Sequence, residues 1–222
     1  MTGARDLIDN IRIELRPLHD KIVGHRYLAA VENGQVSRES LAVFALQQHQ
    51  IIASDLRSVA LLLARQGNQP SRLYLLNVLQ GENRALEELG KFTRALGIEQ
   101  ESIPATEPIP AAFAYSAFLA WLAMYGSDAE FAGALALNFA AWGINCGRMS
   151  FALKERYGLK PEAVSFFEIF ANLPPADDAI AVIQNGLDRG VPDAVIARAA
   201  RMLQSYELMY WDAMAEIAAV PG

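Results

Sequence analysis

The chain has 222 residues, of which 53% are hydrophobic and only 20% charged, enough to close a sizeable core without a disulfide or metal staple. One cysteine, Cys146, excludes a disulfide framework within the chain, and with only three histidines (His19, His25, His49) beside it a structural zinc site is not expected. A net charge of −6 offers no basic face to neutralise phosphates, so nucleic acid is not an expected partner.

The N-terminal stretch MTGARDLIDNIRIELRPLHD carries charge throughout and lacks the apolar core of a signal peptide. No run reaches the roughly eighteen apolar residues of a membrane span; the nearest, Phe113 to Tyr125, suits a buried core helix. The lone thiol fits a reducing compartment. The expectation is a soluble, cytoplasmic protein without a membrane partner.

Strand alternation is nowhere sustained, whereas helical periodicity recurs along the chain. Residues 5–32 predict an amphipathic segment bent near Pro17, stopped by Asn33-Gly34. Ser37 can cap a helix over 38–66, which carries Leu41, Phe44, Ala45 and Gln48 at helical spacing. After the turn Gly67-Asn68-Gln69-Pro70, a helix over 71–96 ends at Gly97. Ile98 to Pro110 reads as irregular, and a helix follows over 110–125. Ser127 and Glu130 stand at capping-box spacing before a long, very apolar helix over 128–157, whose all-round apolarity predicts burial among other helices. Shorter helices over 161–172 and 177–188 flank Pro174-Pro175, and the last spans 192–218, opened by Pro192-Asp193. These elements predict one all-α domain over 1–222, built of seven or eight helices.

Several polar residues interrupt this apolar pattern. Gln47 to Gln50 place four polar side chains in an otherwise apolar helix, and Gln48 shares a stripe with Ile52 and Asp55. A buried amide needs partners, so at least one of the four is expected inward, reading a ligand or bonding between helices. Asn138 lies inside the most apolar helix, where burying its amide without partners is costly. Glu207 lies among Tyr206, Met209, Tyr210 and Trp211, and a carboxylate among aromatics is poorly solvated. Its pKa is expected to rise, which suits a general acid or base near neutral pH. Tyr115, within an apolar helix, needs a partner that a ligand or Glu207 could supply. Gly24, Gly34 and Gly67 stand alone rather than in a phosphate-loop spacing, and no nucleophile elbow is present.

Taken in order, the segments resemble the TenA/THI-4 family, within the heme-oxygenase-like helical superfamily. His25-Arg26-Tyr27-Leu28 through Asn33-Gly34-Gln35-Val36, then Phe44-Ala45-Leu46-Gln47, is similar to the family's opening. Gln80-Gly81-Glu82 is similar to its middle. Tyr206-Glu207-Leu208-Met209-Tyr210-Trp211-Asp212 is similar to its "YE..FWD" ending, the most specific piece. The resemblance implies a heme-oxygenase-like bundle and hydrolysis of thiamine or related aminopyrimidines. It places the family's glutamate on Glu207 and its tyrosine on Tyr115. The family's second-helix aspartate falls on Gln48, and its cysteine on Asn138 or Phe139, neither of which is such a nucleophile. Cys146 lies about 10–12 Å further along the helix at about 1.5 Å per residue.

The resemblance therefore implies a divergent enzyme with Glu207 and Tyr115 as catalytic residues. Phe44, Gln48, Asn138, Trp142, Tyr206 and Trp211 would line a small-molecule pocket. No cofactor or metal is expected, and relatives' assemblies imply a homo-oligomer, dimer or tetramer. The alternatives are a binding protein without turnover, a cofactor-free oxidase, and a heme protein. In the last, His19 would be the axial ligand, with Gly34-Gln35-Val36-Ser37-Arg38 as the turn and Gly143 and Gly147 spaced for a distal kink. A non-heme oxidase would need metal ligands where Phe170 and Pro174 stand, in the stretch begun by Phe166-Phe167.

Overall fold

Proline and a capping histidine cut the first expected segment into three. The computed structural model describes residues 3–221, and in it α1 is Ala4–Glu14, α2 is Arg16–Val23 and α3 is Arg26–Glu32. Pro17 sits in the first turn of α2, where its missing N–H leaves no ladder bond unmade. His25 caps α3 by accepting the Tyr27 N–H on Nδ1 at 3.2 Å. The ring proton is then on Nε2, which donates to Asp212 at 3.1 Å and ties α3 to the last helix.

The later helices follow their expected ranges: α4 (Arg38–Arg65), α5 (Ser71–Ala95), α6 (Pro110–Tyr125), α7 (Asp128–Tyr157), α8 (Ser165–Ala171), α9 (Asp177–Asp188) and α10 (Asp193–Ile217). The described residues thus hold ten α-helices and no strand. The excess over seven or eight comes from the divided first segment. Ser37 caps α4 by accepting the Ser40 N–H, and Ser127 with Glu130 closes the capping box that their spacing predicts. The stretch expected to be irregular contains a 3-10 turn, Gln100–Ala105, and is pinned to α4 by two glutamines. Gln47 donates to the Glu107 carbonyl and accepts the Ile109 N–H; Gln50 donates to the carbonyls of Ile103 and Thr106. Half of the polar run in α4 is therefore structural.

The apolar α7 is enclosed, as its composition requires, with α10, α8, α9 and α3 packed around it, while α4 packs against α5 and α6. Glycines permit the closest approaches. A methyl on Gly133 would lie 2.6 Å from the Ile196 side chain, and one on Gly143 only 2.7 Å from the Phe170 carbonyl oxygen. Gly186 abuts Ala129 in the same way. Helix α7 continues unbroken through Gly143 and Gly147, which face α8 at Phe170 and Ala171. Among the described residues, no helix is long and apolar enough to cross a membrane.

Two glycines give opposite expectations. Gly143→Ala drives a methyl into backbone that cannot rotate away, so it is expected to cost about 1–3 kcal/mol. Gly81→Ala, in α5 with nothing within 4 Å of the added carbon, should gain up to about 1 kcal/mol of helix propensity. Thermal melts of the two variants check this; a Gly143→Ala protein that melts no lower than the wild type would contradict the tight α7–α8 seam.

Candidate functional site

Six helices send side chains into one small cavity of about 40 Å³. Helix α4 contributes Gln48, Ile51, Ile52 and Asp55, whose spacing of three, one and three residues keeps them on one face. Helix α5 contributes Glu82, α6 Tyr115, and α7 Asn138, Phe139 and Trp142. Phe170 comes from α8, and Glu207 with Tyr210 from α10. By the usual allowance of about 10–15 Å³ per water, the space holds only a few water-sized groups. It adjoins a larger groove of about 580 Å³ bounded by α5, α7, α8 and α9, with Arg12 of α1 also in its lining. Glu82, Phe139 and Phe170 line both spaces, and the two phenyl rings lie 6.0 Å apart between centroids. These three residues form the boundary that the two spaces share.

A buried hydrogen-bond chain crosses the cavity wall. The Tyr115 hydroxyl donates to Asn138 Oδ1 at 2.8 Å, and Asn138 Nδ2 donates to Glu207 Oε2 at 2.7 Å. The Trp211 indole N–H donates to Glu207 Oε1 at 3.1 Å, one helical turn along α10. Asn138 is thus oriented from both sides, and each of its groups facing Tyr115 and Glu207 is paired.

The electrostatics are one-sided. Three acids, Asp55, Glu82 and Glu207, line the cavity, and the lining contains no lysine, arginine or histidine. Burial pushes Glu207 up to about 8, a rise opposed only by the indole donor of Trp211. Burial raises Asp55 well above the carboxylate range, and the neighbouring Glu82 charge adds to it; burial raises Glu82 as well. The Tyr115 phenol is raised by burial and then by the fields of Asp55, Glu207 and Glu82. Burial thus disfavours the charged form of all three acids.

Of the residues expected at the site, Glu207, Tyr115, Gln48, Asn138 and Trp142 meet in this lining. Phe44, Tyr206 and Trp211 do not. Phe44 is fully buried behind the wall, stacked with Trp142 at 6.4 Å and Trp211 at 6.0 Å. Trp211 supports Glu207 from the rear, and Tyr206 points the other way, onto Phe118 at 5.5 Å. One residue step along α10 turns a side chain by about 100°, which separates Tyr206 from Glu207. His19 is half-buried on α2 and outside the lining. Cys146 is buried behind the wall, its thiol pushed up by burial and then by Glu207, the reverse of what a thiolate nucleophile needs. Among the described residues, no group of three or more His, Cys, Asp or Glu could hold a metal ion.

Two lining acids were not singled out from sequence. Asp55 carried a usable signal, an acid seven residues beyond Gln48 on the same apolar stripe. Glu82 carried only its place in the Gln80-Gly81-Glu82 stretch, since α5 holds Glu87 and Glu88 as well and periodicity does not separate them.

The TENA/THI-4/PQQC family profile matches residues 12–171. Similar solved structures include a TenA homologue from P. horikoshii OT3, 18% identical with a TM-score of 0.78, covering 95% of this chain and 99% of that one. A TenA homolog from Pseudomonas syringae pv. tomato DC3000 is 13% identical with a TM-score of 0.79, covering 94% and 92%. A domain with a heme-oxygenase-like fold from Shewanella denitrificans OS217 is 13% identical with a TM-score of 0.76, covering 94% and 91%. At such identities the likeness is one of fold. No curated protein matches the chain.

The raised acid makes stability depend on pH with a definite sign. The folded state holds the Glu207 proton more tightly than the unfolded chain, whose ordinary value is 4.5. Its contribution is full below about 4.5 and is lost as pH rises through about 8. The melting temperature is therefore expected to fall between pH 5 and pH 9, and Glu207→Gln should flatten that decline. Calorimetry across this range checks it; an equally steep decline in the variant would exclude Glu207 as a source.

Proposed function

Because the chain belongs to the TENA/THI-4/PQQC family, we propose that it is a TenA-like enzyme acting on a small nitrogen heterocycle related to thiamine by acid/base chemistry at Glu207. The observation that carries this reading is the Tyr115–Asn138–Glu207 chain at the wall of a cavity that adjoins a groove. Asn138 or Phe139 stands where the resemblance would place a cysteine, and Cys146 is walled off, so no covalent thiol step is assigned. Water attacks the substrate directly instead. Its oxygen forms the new bond to carbon while the carbon–nitrogen bond breaks. Glu207 gives its proton to the leaving nitrogen and recovers one from the water.

Each neighbour has a part in that cycle. Asn138 holds the carboxyl in place through both protonation states, since its amide donates to Oε2. Trp211 favours the charged form left after proton transfer. Tyr115 fixes the amide's orientation and lies close enough to the substrate space to bind a ring nitrogen. The apolar rings of Phe139, Trp142 and Phe170 exclude bulk water around the reacting bond.

The test is release of pyrimidine from thiamine and from its aminopyrimidine breakdown products. Glu207→Gln is expected to lower kcat by about 10²- to 10⁴-fold, the usual contribution of a positioned acid or base. Activity should also decline as pH passes about 8, where Glu207 loses its proton. Ligand-induced thermal stabilisation with no turnover by the wild type would make this a binding protein and refute the enzymatic reading.

A further inference from the structure

Asp55 is a lining acid that the proton-transfer scheme does not use. It is 94% buried, since only 6% of its surface is exposed, and its Oδ1 has no hydrogen-bond partner. A second acid, Glu82 of α5, faces the same cavity and is itself 7% exposed. No basic side chain lines the space, and the ion pairs of the described residues all lie elsewhere. Packing alone would favour amides or leucines at these positions, because an unpaired buried acid destabilises the fold. What the pair lacks is a positive charge with N–H donors.

We infer that Asp55 and Glu82 form a recognition site for a cationic nitrogen group of the ligand, an ammonium or an amidinium. The inference rests on reading the cavity as the substrate site, and it narrows the substrate class to small cations. An amidinium N–H donates to the open Asp55 Oδ1, and one negative charge carried by the pair balances the cation while the other acid keeps its proton. Glu82 also lines the outer groove, so a cation arriving by that route meets it before Asp55. The rings of Phe139 and Phe170, at the junction of groove and cavity, suit a flat aromatic or amidine body behind the charged group. Gln48, two turns before Asp55 on the same face of α4, reads neutral polar atoms at the other end of the stripe.

Benzamidine and its neutral isostere benzamide test this directly by calorimetric titration of the whole protein at pH 7.5. Benzamidine is expected to bind about tenfold or more tightly than benzamide, the usual scale for a hydrogen bond to a charged group. Asp55→Asn and Glu82→Gln should each abolish that preference. Both variants remove a buried acid, so both should melt above the wild type, which shows that they fold. Equal affinity for the two compounds, or a preference that survives both substitutions, overturns the inference. So does Mn²⁺ binding that both substitutions abolish while benzamidine does not bind, since the acids would then serve a metal. Glu207→Gln separates this from the catalytic reading: it should retain the benzamidine preference while losing turnover. A cation preference lost in Asp55→Asn alongside unimpaired Glu207→Gln turnover would uphold the recognition site and refute the acid/base role.

Discussion

The hydrogen bond from Asn138 to Glu207 joins the two helices that organise the molecule. Helix α7 is the enclosed centre and α10 its most extensive neighbour. Their facing surfaces are mostly apolar, and two buried polar contacts set their mutual register: this amide–carboxyl bond and the Gln204 amide donating to the Leu137 carbonyl at 2.8 Å. A carboxyl buried in such surroundings survives only if its oxygens are paired, and Asn138 and Trp211 pair one each. Tyr115 then extends the chain into α6. Three helices are held in one arrangement by the same group that carries the proton, so the site's chemistry and the fold's register share one set of bonds.

The aromatic residues divide into two shells around that group. Trp142, Phe139, Phe170 and Tyr210 face the cavity, while Phe44, Tyr27 and Trp211 stack behind them. The rear shell fixes the rotamers of the front one by close packing rather than by contact with a ligand. Tyr27 itself is anchored through the cap of α3, where His25 binds the Tyr27 backbone and reaches Asp212 on α10. The short N-terminal helices thus brace the wall of a site to which they contribute no lining residue.

Most of the architecture was legible in the sequence because helices announce themselves locally. Caps such as Ser37 and Ser127, the breakers at Gly67 to Pro70, and the apolarity of residues 128–157 need no tertiary information. The division of residues 5–32 was only half visible: Pro17 signals a bend, but the capping role of His25 depends on Asp212, 187 residues away. The same limit governs the site. Glu207, Asn138, Gln48 and Tyr115 stand out as polar residues on apolar faces, which is a property of each helix alone. Glu82 lies among other acids of α5 and becomes exceptional only when the packed helices bury it at the cavity. Tyr206 shows the converse error, in which nearness in sequence to a polar residue does not say which face of the helix looks inward, whereas Phe44 and Trp211 do look inward and stop behind the wall.

The contact of Gly143 with the Phe170 carbonyl has a bearing on how the site can diverge. Backbone meets backbone there, so the spacing between α7 and α8 is fixed by atoms that have no rotamers. Changes to lining side chains then alter the cavity by their own volume, without shifting the helices that carry them. Such changes are close to independent of one another and of the scaffold. Ligand preference in this chain can therefore be re-graded one wall residue at a time, whereas a single methyl at position 143 would disturb every wall at once.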